Sequence, residues 1–361
     1  MLGSAVVEGD PQAAAHAASL HHVTDADPGI SRIRRGKAFG YRDARGRTVR
    51  DAATLRRIRS LVIPPAWTDV WISTDPHGHI QATGRDARGR KQYRYHPRWR
   101  TVRDLAKYHR LVGFCHVLPR LRKRVAADLA CGCLCKRKVV AAVVSLMEQA
   151  QLRVGNDEYM RHNGTYGATT LRDHHARFVR GALELAYTGK SGVARQVRIT
   201  DKRLARIVRR CRALPGRRLF QYEDGDAVRP VTSADVNGYL RDATGGPFTA
   251  KDYRTWAATL GAAMLLCALE DPGDERARKL CIKQVLERVA ARLGHTVAVC
   301  RSSYVHPKIL HDFARGRLTL TLRPQLARRL RRCGGEIEVA ALRAIETVVA
   351  RYVDPRARRH A

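Results

Sequence analysis

Residues 91–108 read KQYRYHPRWRTVRDLAKY, and the spacing of the apolar side chains changes within this stretch. Up to Tyr95 they alternate with polar ones, as in a strand with one buried face. From Arg98 onward they recur every three to four residues, as in a helix. The change predicts an α+β fold with a small β-rich domain at 21–100 and a larger, mainly helical domain at 101–355.

The segment before residue 100 carries short alternating runs separated by turn signals. These runs predict strands from Lys37 to Tyr41, Val70 to Ser73, His79 to Thr83 and Lys91 to Tyr95. Between them, residues 51–61 predict a helix that ends before Pro64 and Pro65. Residues 1–20 show no periodicity and predict a disordered tail, and residues 356–361 predict a mobile basic one.

One hexapeptide, Arg-Asp-Ala-Arg-Gly-Arg, occurs twice, at 42–47 and at 85–90. Each copy lies between candidate strands and combines three arginines with a glycine that suits a turn. Two interpretations stay open: basic turns that contact phosphates, or a hairpin turn that recurs by chance.

The second domain is predicted to be helical with one β interruption. The strand candidates are Ala168 to Leu171, Ala176 to Val179, Leu183 to Tyr187 and Ala194 to Ile199, with a turn at 188–192. Helical periodicity marks residues 201–212, 233–242, 251–268, 275–292 and 336–352.

The charge of the chain is strongly one-sided, with 68 Lys and Arg against 33 Asp and Glu and a net charge of +35. A nucleic acid is the commonest partner for such a charge, and an anionic membrane surface is the second possibility. No stretch reaches the ~20 apolar residues of a membrane-spanning helix. Residues 1–20 contain acidic Glu8 and Asp10 and do not resemble a signal sequence. We therefore expect a cytoplasmic protein associated with the nucleoid.

Nine cysteines are present, an odd number without a paired framework, which favours thiols in a reducing compartment. Cys131, Cys133 and Cys135 form a C-x-C-x-C run. A metal site is one interpretation, and small apolar residues beside a helix are the other. The usual zinc spacing with a second downstream pair is missing, so we expect no metal.

Five residues in the second domain suit attack on a phosphodiester. Tyr304 is a candidate nucleophile, and a phenol needs a cationic pocket to act near neutral pH. Arg153 and Arg254 suit two-pronged binding of phosphate oxygens, Lys190 suits proton donation from a hairpin tip, and His295 suits a further oxygen contact. Taken singly, each has an ordinary explanation as a packing residue, a helix cap or a surface charge. A nucleotide-binding loop is excluded, because Glu184 stands where its first glycine belongs.

The order of these residues and the motifs around them resemble the type IB DNA topoisomerases, in their small poxviral and bacterial branch. The resemblance covers roughly residues 22–355. The matching motifs are the segments 64–70, 84–93, 152–159, 163–171, 187–190, 251–256 and 294–296, together with Tyr304.

The resemblance implies a mechanism as well as a fold. Tyr304 attacks one strand of duplex DNA, Arg153, Arg254 and His295 hold the non-bridging oxygens, and Lys190, helped by Lys251, protonates the 5′-oxygen. It implies no cofactor and no metal, and a monomer clamped around the duplex. The DNA-facing hairpin would contribute contacts from Arg85, Arg88, Arg90, Lys91, Gln92 and Tyr93.

Two positions depart from the family pattern. Val297 stands where the poxviral pattern has proline, which raises a question about the local loop, and His295 stands where many bacterial members have asparagine. Tyrosine recombinases are the nearest alternative, but they usually have His-x-x-Arg where this chain has Lys251-x-x-Arg254, and a helical N-terminal domain. A non-catalytic architectural DNA-binding protein would explain the charge but not the ordered residue types.

Overall fold

A computed structural model describes residues 11–36, 38–332 and 339–354 of the chain. The chain divides into two compact units, residues 1–110 and 111–361. The first unit contains a five-stranded sheet, and the second is mainly helical. The α+β class predicted from the sequence is therefore confirmed.

The first unit is built around an antiparallel sheet with the strand order β2-β1-β3-β4-β5. Its elements in chain order are α1 (Pro11–Ala17), β1 (Gly29–Arg35), β2 (Ala38–Arg42), α2 (Ala52–Ser60), β3 (Thr68–Ser73), β4 (Ile80–Arg85) and β5 (Lys91–Tyr95). The long helix α3 (Pro97–Leu129) follows β5.

Helix α2 closes one face of the sheet. Ile58 packs against Ile30, Ile72 and Ala82, and all four are buried. Asp51 caps the helix by accepting a hydrogen bond of 2.7 Å from the backbone N–H of Thr54. The predicted helix at 51–61 and the strands predicted at 70–73, 79–83 and 91–95 are thus present. Lys37, where the first predicted strand begins, lies outside the described residues.

The prediction of a disordered tail over residues 1–20 is wrong for the part that the structure describes. Residues 11–17 form α1, and Ala15, Ala18 and Leu20 bury their side chains with Trp99 of α3. Alanine favours helix, and its small side chain suits close packing on an indole ring. Residues 1–10 and the predicted basic tail at 356–361 lie outside the described residues.

The second unit surrounds the buried helix α4 (Lys136–Ala150). The helices that follow it are α5 (Asp157–Asn163), α6 (Lys202–Arg212), α7 (Ser233–Thr244), α8 (Ala250–Ala268), α9 (Glu275–Leu293), α10 (Val297–Ser303), α11 (Pro307–Ala314), α12 (Arg317–Arg332) and α13 (Val339–Val353). The strands are β6 (Ala176–Val179), β7 (Ala182–Thr188) and β8 (Ala194–Ile199) in one antiparallel sheet, and β9 (Gln221–Asp224) with β10 (Ala227–Pro230) in another. None of the helices in the described part of the chain combines the length and the apolar character needed to cross a membrane.

One predicted strand in this unit is wrong. Residues 168–170 form a turn of 3₁₀ helix, because the N–H groups of Thr170 and Leu171 donate to the carbonyl of Gly167 at 2.9 and 3.0 Å, while the two preceding N–H groups bond to the loop after α4. Ala168 donates to the carbonyl of Arg153 at 2.8 Å, and Thr169 donates to the carbonyl of Val154 at 2.7 Å. The other three predicted strands and the predicted helices before residue 293 are present.

A buried ion network fixes α13 against the helices of the site. Arg122 of α3 bonds to Glu148 of α4 and, through both terminal nitrogens, to Glu346 of α13. Glu346 also accepts a hydrogen bond from the indole of Trp256 at 3.1 Å. Trp256 lies two residues after Arg254 in α8, so the network holds the helix that carries a candidate site residue.

Candidate active site

The first candidate residue, Arg153, lies in a short loop that leaves α4. Gln151 ends α4 in the left-handed conformation, with φ of 54°. The segment 167–169 then holds the backbone of 153–154 through the two hydrogen bonds described above. A Cβ on Gly167 would lie 2.6 Å from the backbone nitrogen of Gly155, so only glycine permits this close approach.

The second structural element of the site is the C-terminal end of α9. Gly294 adopts φ of 64°, and the N–H of His295 reaches back to the carbonyl of Ala290 at 2.9 Å. This geometry ends the helix sharply and turns His295 away from the helix axis. The carbonyls of the last turn are left for side-chain donors, and the negative end of the helix dipole favours cations there.

Arg254 of α8 ties these two segments together. Its side chain is buried, with 4% of the residue exposed. It donates to the carbonyl of Leu293 at 2.6 Å and to the carbonyl of Gln151. One guanidinium therefore fixes the segment that leads to Arg153 and the one that leads to His295.

Arg153 approaches the same helix end from the other side. Its Nη2 donates to the carbonyl of Gly294 at 2.9 Å. The same nitrogen lies 3.1 Å from Nε2 and 3.2 Å from Nδ1 of His295. The candidate residues Arg153, Arg254 and His295, far apart in sequence, are thus neighbours.

Tyr304 joins this group at the end of α10. The centre of the Tyr304 ring lies 4.4 Å from that of the His295 ring. The guanidinium carbon of Arg254 lies 5.7 Å from the centre of the Tyr304 ring. The backbone carbonyl of Tyr304 accepts a hydrogen bond of 3.2 Å from Thr259 of α8. Val297 occupies the first position of α10, where proline would also fit, and Thr296 caps the helix. The departure at Val297 therefore leaves a regular helix in place.

Lys190 lies at the edge of the group, and Lys251 lies on α8, the helix that carries Arg254. Lys190 is exposed in the turn between β7 and β8, and its Nζ lies 5.5 Å from the ring centre of Tyr159. Its charge is close enough to contribute to the lowered pKa of His295. Lys251 is exposed in the first turn of α8, one helical turn before Arg254.

The electrostatics of the group are those of an anion site. Burial, followed by the charge of Arg153, lowers the pKa of Arg254 to about 10. Burial and then the charges of Arg153, Arg254, Lys190 and Arg195 lower the pKa of His295 to about 3, so its ring is neutral near pH 7. Within the described part of the chain, the buried Nε of Arg254 has no hydrogen-bond partner.

Comparison with known proteins shows the family of the chain. Residues 96–319 match the family model described as eukaryotic DNA topoisomerase I, catalytic core. Residues 38–86 match the model described as bacterial DNA topoisomerase IB, N-terminal domain. A protein named DNA topoisomerase 1B from Acanthamoeba polyphaga mimivirus is 33% identical over 285 residues, which cover 77% of this chain and 85% of that protein.

The chain belongs to the type IB DNA topoisomerase family. The family resemblance that the sequence motifs indicate is thereby confirmed, and with it the enzyme class, an isomerase that acts on DNA. The match at 38–86 supports the bacterial branch. The helical N-terminal domain of recombinases is replaced here by the β-sheet of the first unit.

Two residues that the sequence analysis did not single out also lie beside this group of candidate residues. Arg195 of β8 donates to the carbonyls of Ala291 and Arg292 at 3.2 and 2.9 Å, so a third arginine holds the end of α9. Tyr187, its partner in β7, is largely buried, which raises its pKa, while the nearby charges of Arg195, Arg254 and Arg153 act in the opposite direction. An arginine in a strand of so basic a chain gives no sequence signal of such a role.

The candidate DNA-facing hairpin of the topoisomerase lies in the first unit. Asp86 organises its turn by accepting hydrogen bonds from the backbone N–H groups of Arg88 and Arg90, at 2.9 and 3.1 Å. It also accepts from the side chain of Gln92 at 2.9 Å. Arg85, Arg88 and Arg90 are exposed. Their contact with DNA stays a prediction.

Two further candidates follow this turn along β5. Lys91 forms an ion pair with Asp25 at 2.5 Å. Tyr93 is 41% exposed and stacks on Tyr95, with ring centres 5.8 Å apart. The exposed ring of Tyr93, beside fixed polar groups, suits contact with bases, which is the role that the resemblance implies.

Proposed function

We propose that this protein relaxes supercoiled duplex DNA through a transient single-strand break, with Tyr304 as the nucleophile. The observation that carries the proposal is the site at the end of α9. There, Arg153 and Arg254 lie beside Tyr304 and a neutral His295, and burial, followed by the charges of neighbouring cations, lowers the pKa values of Arg254 and His295. Such a site is complementary to a phosphodiester, whose charge increases on the non-bridging oxygens during attack.

In the proposed reaction, the phenolic oxygen of Tyr304 forms a bond to phosphorus and the bond from phosphorus to the 5′-oxygen breaks. The phenolic proton passes to solvent, and Lys190, assisted by Lys251, gives a proton to the departing 5′-oxygen. The product is a 3′-phosphotyrosyl enzyme and a free 5′-hydroxyl. The broken strand swivels, the 5′-hydroxyl attacks the phosphotyrosine, and the tyrosine leaves.

The arginines and the histidine of the site are positioned to bind the phosphate. Arg153 and Arg254 are already held by helix carbonyls, so little reorganisation is needed when a phosphate enters. The unpartnered Nε of Arg254 offers one donor, and the neutral ring of His295 offers another through its N–H. The phosphotyrosine retains the energy of the broken bond, so we propose that neither ATP nor a metal ion is required.

We also propose that one chain is sufficient for the reaction. All the side chains assigned a role come from the same chain, and no second copy needs to contribute a residue. A rate of relaxation that is proportional to enzyme concentration would support this. A rate that rises with its square would contradict it.

Plasmid relaxation tests the proposal. Purified protein should relax a negatively supercoiled plasmid in EDTA without ATP, and Tyr304→Phe should abolish relaxation. Detergent quenching should trap protein on the 3′ end of the nicked strand in the wild type and not in Tyr304→Phe. Tyr222→Phe, which removes a hydroxyl from β9 of the same unit, is the matched control and should remain active.

Three results would overturn the proposal. They are relaxation that requires magnesium, relaxation that survives Tyr304→Phe, and protein trapped on the 5′ end. Joining of two duplexes at specific sites would instead indicate a recombinase. A change in DNA mobility without any change in linking number would indicate an architectural protein.

A further inference from the structure

The turn between α3 and α4 brings three thiols together outside the active site. Sγ of Cys131 lies 3.2 Å from Sγ of Cys133 and 3.7 Å from Sγ of Cys135. All three sulfurs lie within 4.8 Å of one another. Cys133 is exposed, and the other two are partly exposed, so small solutes reach the cluster.

The surrounding fold anchors this turn. Lys138 donates to the carbonyl of Cys131, and Arg210 of α6 donates to the carbonyl of Gly132 at 3.1 Å. The carbonyl of the buried Leu134 accepts from the backbone N–H of Glu223 at 3.1 Å. The three sulfurs are therefore held close by contacts on both sides of the turn.

Cys131 differs from the buried cysteines of the chain. Hydrogen bonds, first from the Cys133 thiol, then from its backbone and from Cys135, lower the pKa of Cys131 to about 7. Burial instead raises the pKa of Cys115, Cys211 and Cys267 to about 12. Near neutral pH a large fraction of Cys131 is thus thiolate, the reactive form, whereas the buried thiols stay protonated.

The surroundings favour an oxidisable thiolate over a bound cation. Arg137 donates a hydrogen bond to the Cys131 sulfur, and Lys138 lies against its carbonyl. In the described part of the chain, the cluster offers three sulfurs and no histidine or carboxylate as a fourth ligand. A structural zinc site normally has four ligands, and positive neighbours disfavour a cation.

We propose that the Cys131-Gly132-Cys133 turn is a thiol switch, which hydrogen peroxide converts into a disulfide between Cys131 and Cys133. The Cys131 thiolate attacks one peroxide oxygen, so an S–O bond forms, the O–O bond breaks and hydroxide leaves. The Cys133 sulfur then attacks the resulting sulfenic acid, an S–S bond forms, and the thiol proton leaves with the hydroxyl as water. Two thiols are oxidised by two electrons, and one peroxide is reduced. The disulfide would close a small ring through Gly132, and a residue without a side chain suits such a ring.

Dose-dependent oxidation tests this inference on the full-length protein. With rising peroxide, followed by alkylation and peptide mass spectrometry, the linked pair Cys131–Cys133 should appear before any other cysteine is modified, and dithiothreitol should reverse it. A lower pKa raises the fraction of thiolate but lowers the nucleophilicity of that thiolate. The net effect is that Cys131 should react with peroxide roughly fivefold faster than an ordinary exposed thiol at pH 7. In the double variant Cys133→Ser/Cys135→Ser, which removes both neighbouring thiols, a sulfenic acid should persist at Cys131 and react with dimedone.

Several outcomes would remove the proposal. Earlier oxidation of Cys281, the partly exposed cysteine in α9, would show that the cluster is not the preferred site. Tightly bound zinc in the purified protein, with peroxide reactivity appearing only after chelation, would make the cluster a metal site. If a serine variant does not fold, the pH dependence of thiolate absorbance in the wild type still decides, because the proposal requires thiolate to form near pH 7. The inference does not depend on DNA relaxation.

Discussion

At the scale of single residues, Arg254 has a structural role in addition to its proposed contact with the phosphate. It is buried, and its two terminal nitrogens bind carbonyls of segments that lead to Arg153 and His295. Lysine carries one point charge and cannot span both acceptors. We therefore expect Arg254→Lys to reduce the rate of DNA cleavage by at least about a hundredfold. It should also lower the free energy of unfolding by about 1–3 kcal/mol, since a buried carbonyl loses its partner.

Arg153→Lys is the matched comparison for this prediction. Arg153 is only half-buried and binds one carbonyl, so its replacement should slow cleavage without a comparable loss of stability. Single-turnover cleavage of a short duplex and urea unfolding measure the two effects. Equal losses of stability in both variants would contradict the structural role assigned to Arg254.

The neutral state of His295 leads to a second prediction at this scale. Near pH 7 a neutral ring acts as a hydrogen-bond donor, and asparagine can also donate. His295→Asn should therefore retain most of the cleavage rate, whereas His295→Ala should lose about a hundredfold. A requirement for positive charge at this position would instead make both variants equally slow.

The pKa of His295 also sets the sign of a pH effect on stability. The folded pKa, about 3, is below the usual value of 6.5, so the unfolded chain binds the proton more strongly. The contribution of the neutral His295 ring to the free energy of unfolding is present above pH 6.5 and is lost as the pH falls toward 3. Urea unfolding at pH 7 and pH 4.5 should show that wild type loses more stability than His295→Asn. The exposed His162→Asn should lose as much as wild type.

The sequence identified Arg153, Arg254, His295 and Tyr304 through ordered motifs, and the fold brings these four together. It did not identify Arg195, because a strand arginine in a chain with 68 basic residues resembles any solvated charge. Only the pairing of β7 with β8 places Arg195 at the end of α9. Motifs therefore identify the chemistry, whereas the supporting contacts require the fold.

At the scale of elements, the β7–β8 hairpin carries Lys190 and is held by Arg195. Because Arg195 binds the last carbonyls of α9, it fixes the hairpin to the helix end that precedes His295. Arg195→Ala should release the hairpin and reduce cleavage about tenfold, and Lys190→Ala should reduce it by 10²–10⁴. Both losses should shrink on a substrate whose 5′-oxygen is replaced by sulfur, since a thiolate leaves without a proton.

The control for the hairpin prediction lies three residues further along β8. Arg198→Ala removes an exposed arginine that pairs with Glu184 at 3.8 Å, and it should leave cleavage unchanged. Arg153→Ala should stay slow on the sulfur substrate, because it acts on the non-bridging oxygens. If sulfur does not rescue Arg195→Ala, its role in positioning Lys190 is refuted.

The errors of sequence reasoning at this scale have physical causes. Residues 168–171 alternate as a strand does, yet the first two N–H groups bond to the loop at 153–154 and the last two bond to the carbonyl of Gly167. Residues 11–17 are too few for a clear period, and α1 gains its stability from burial beside Trp99. Long helices such as α8 and α9 were predicted because many turns repeat one pattern. Short elements depend on tertiary contacts that no local pattern contains.

At the scale of the whole molecule, a net charge of +35 predicts DNA binding that weakens steeply with salt. Neutralising 6–10 phosphates should lower affinity by about 10³–10⁵ between 50 and 200 mM salt. The repeated hexapeptide permits a finer test, because its two turns fold alike. Asp43 accepts from the N–H groups of Arg45 and Arg47, as Asp86 does from Arg88 and Arg90.

We expect Arg90→Gln and Arg47→Gln each to reduce the slope of log affinity against log salt by about 0.9, the value for one phosphate contact. Both arginines pair with an aspartate four residues earlier in equivalent turns, so each substitution removes the same kind of ion pair within its turn. Lys279→Gln, which removes the same kind of i,i+4 pair from the start of α9, should leave the slope unchanged. Fluorescence anisotropy of a labelled duplex at several salt concentrations measures all three. An unchanged slope for one turn would show that this copy faces solvent and that its recurrence reflects only a suitable hairpin turn.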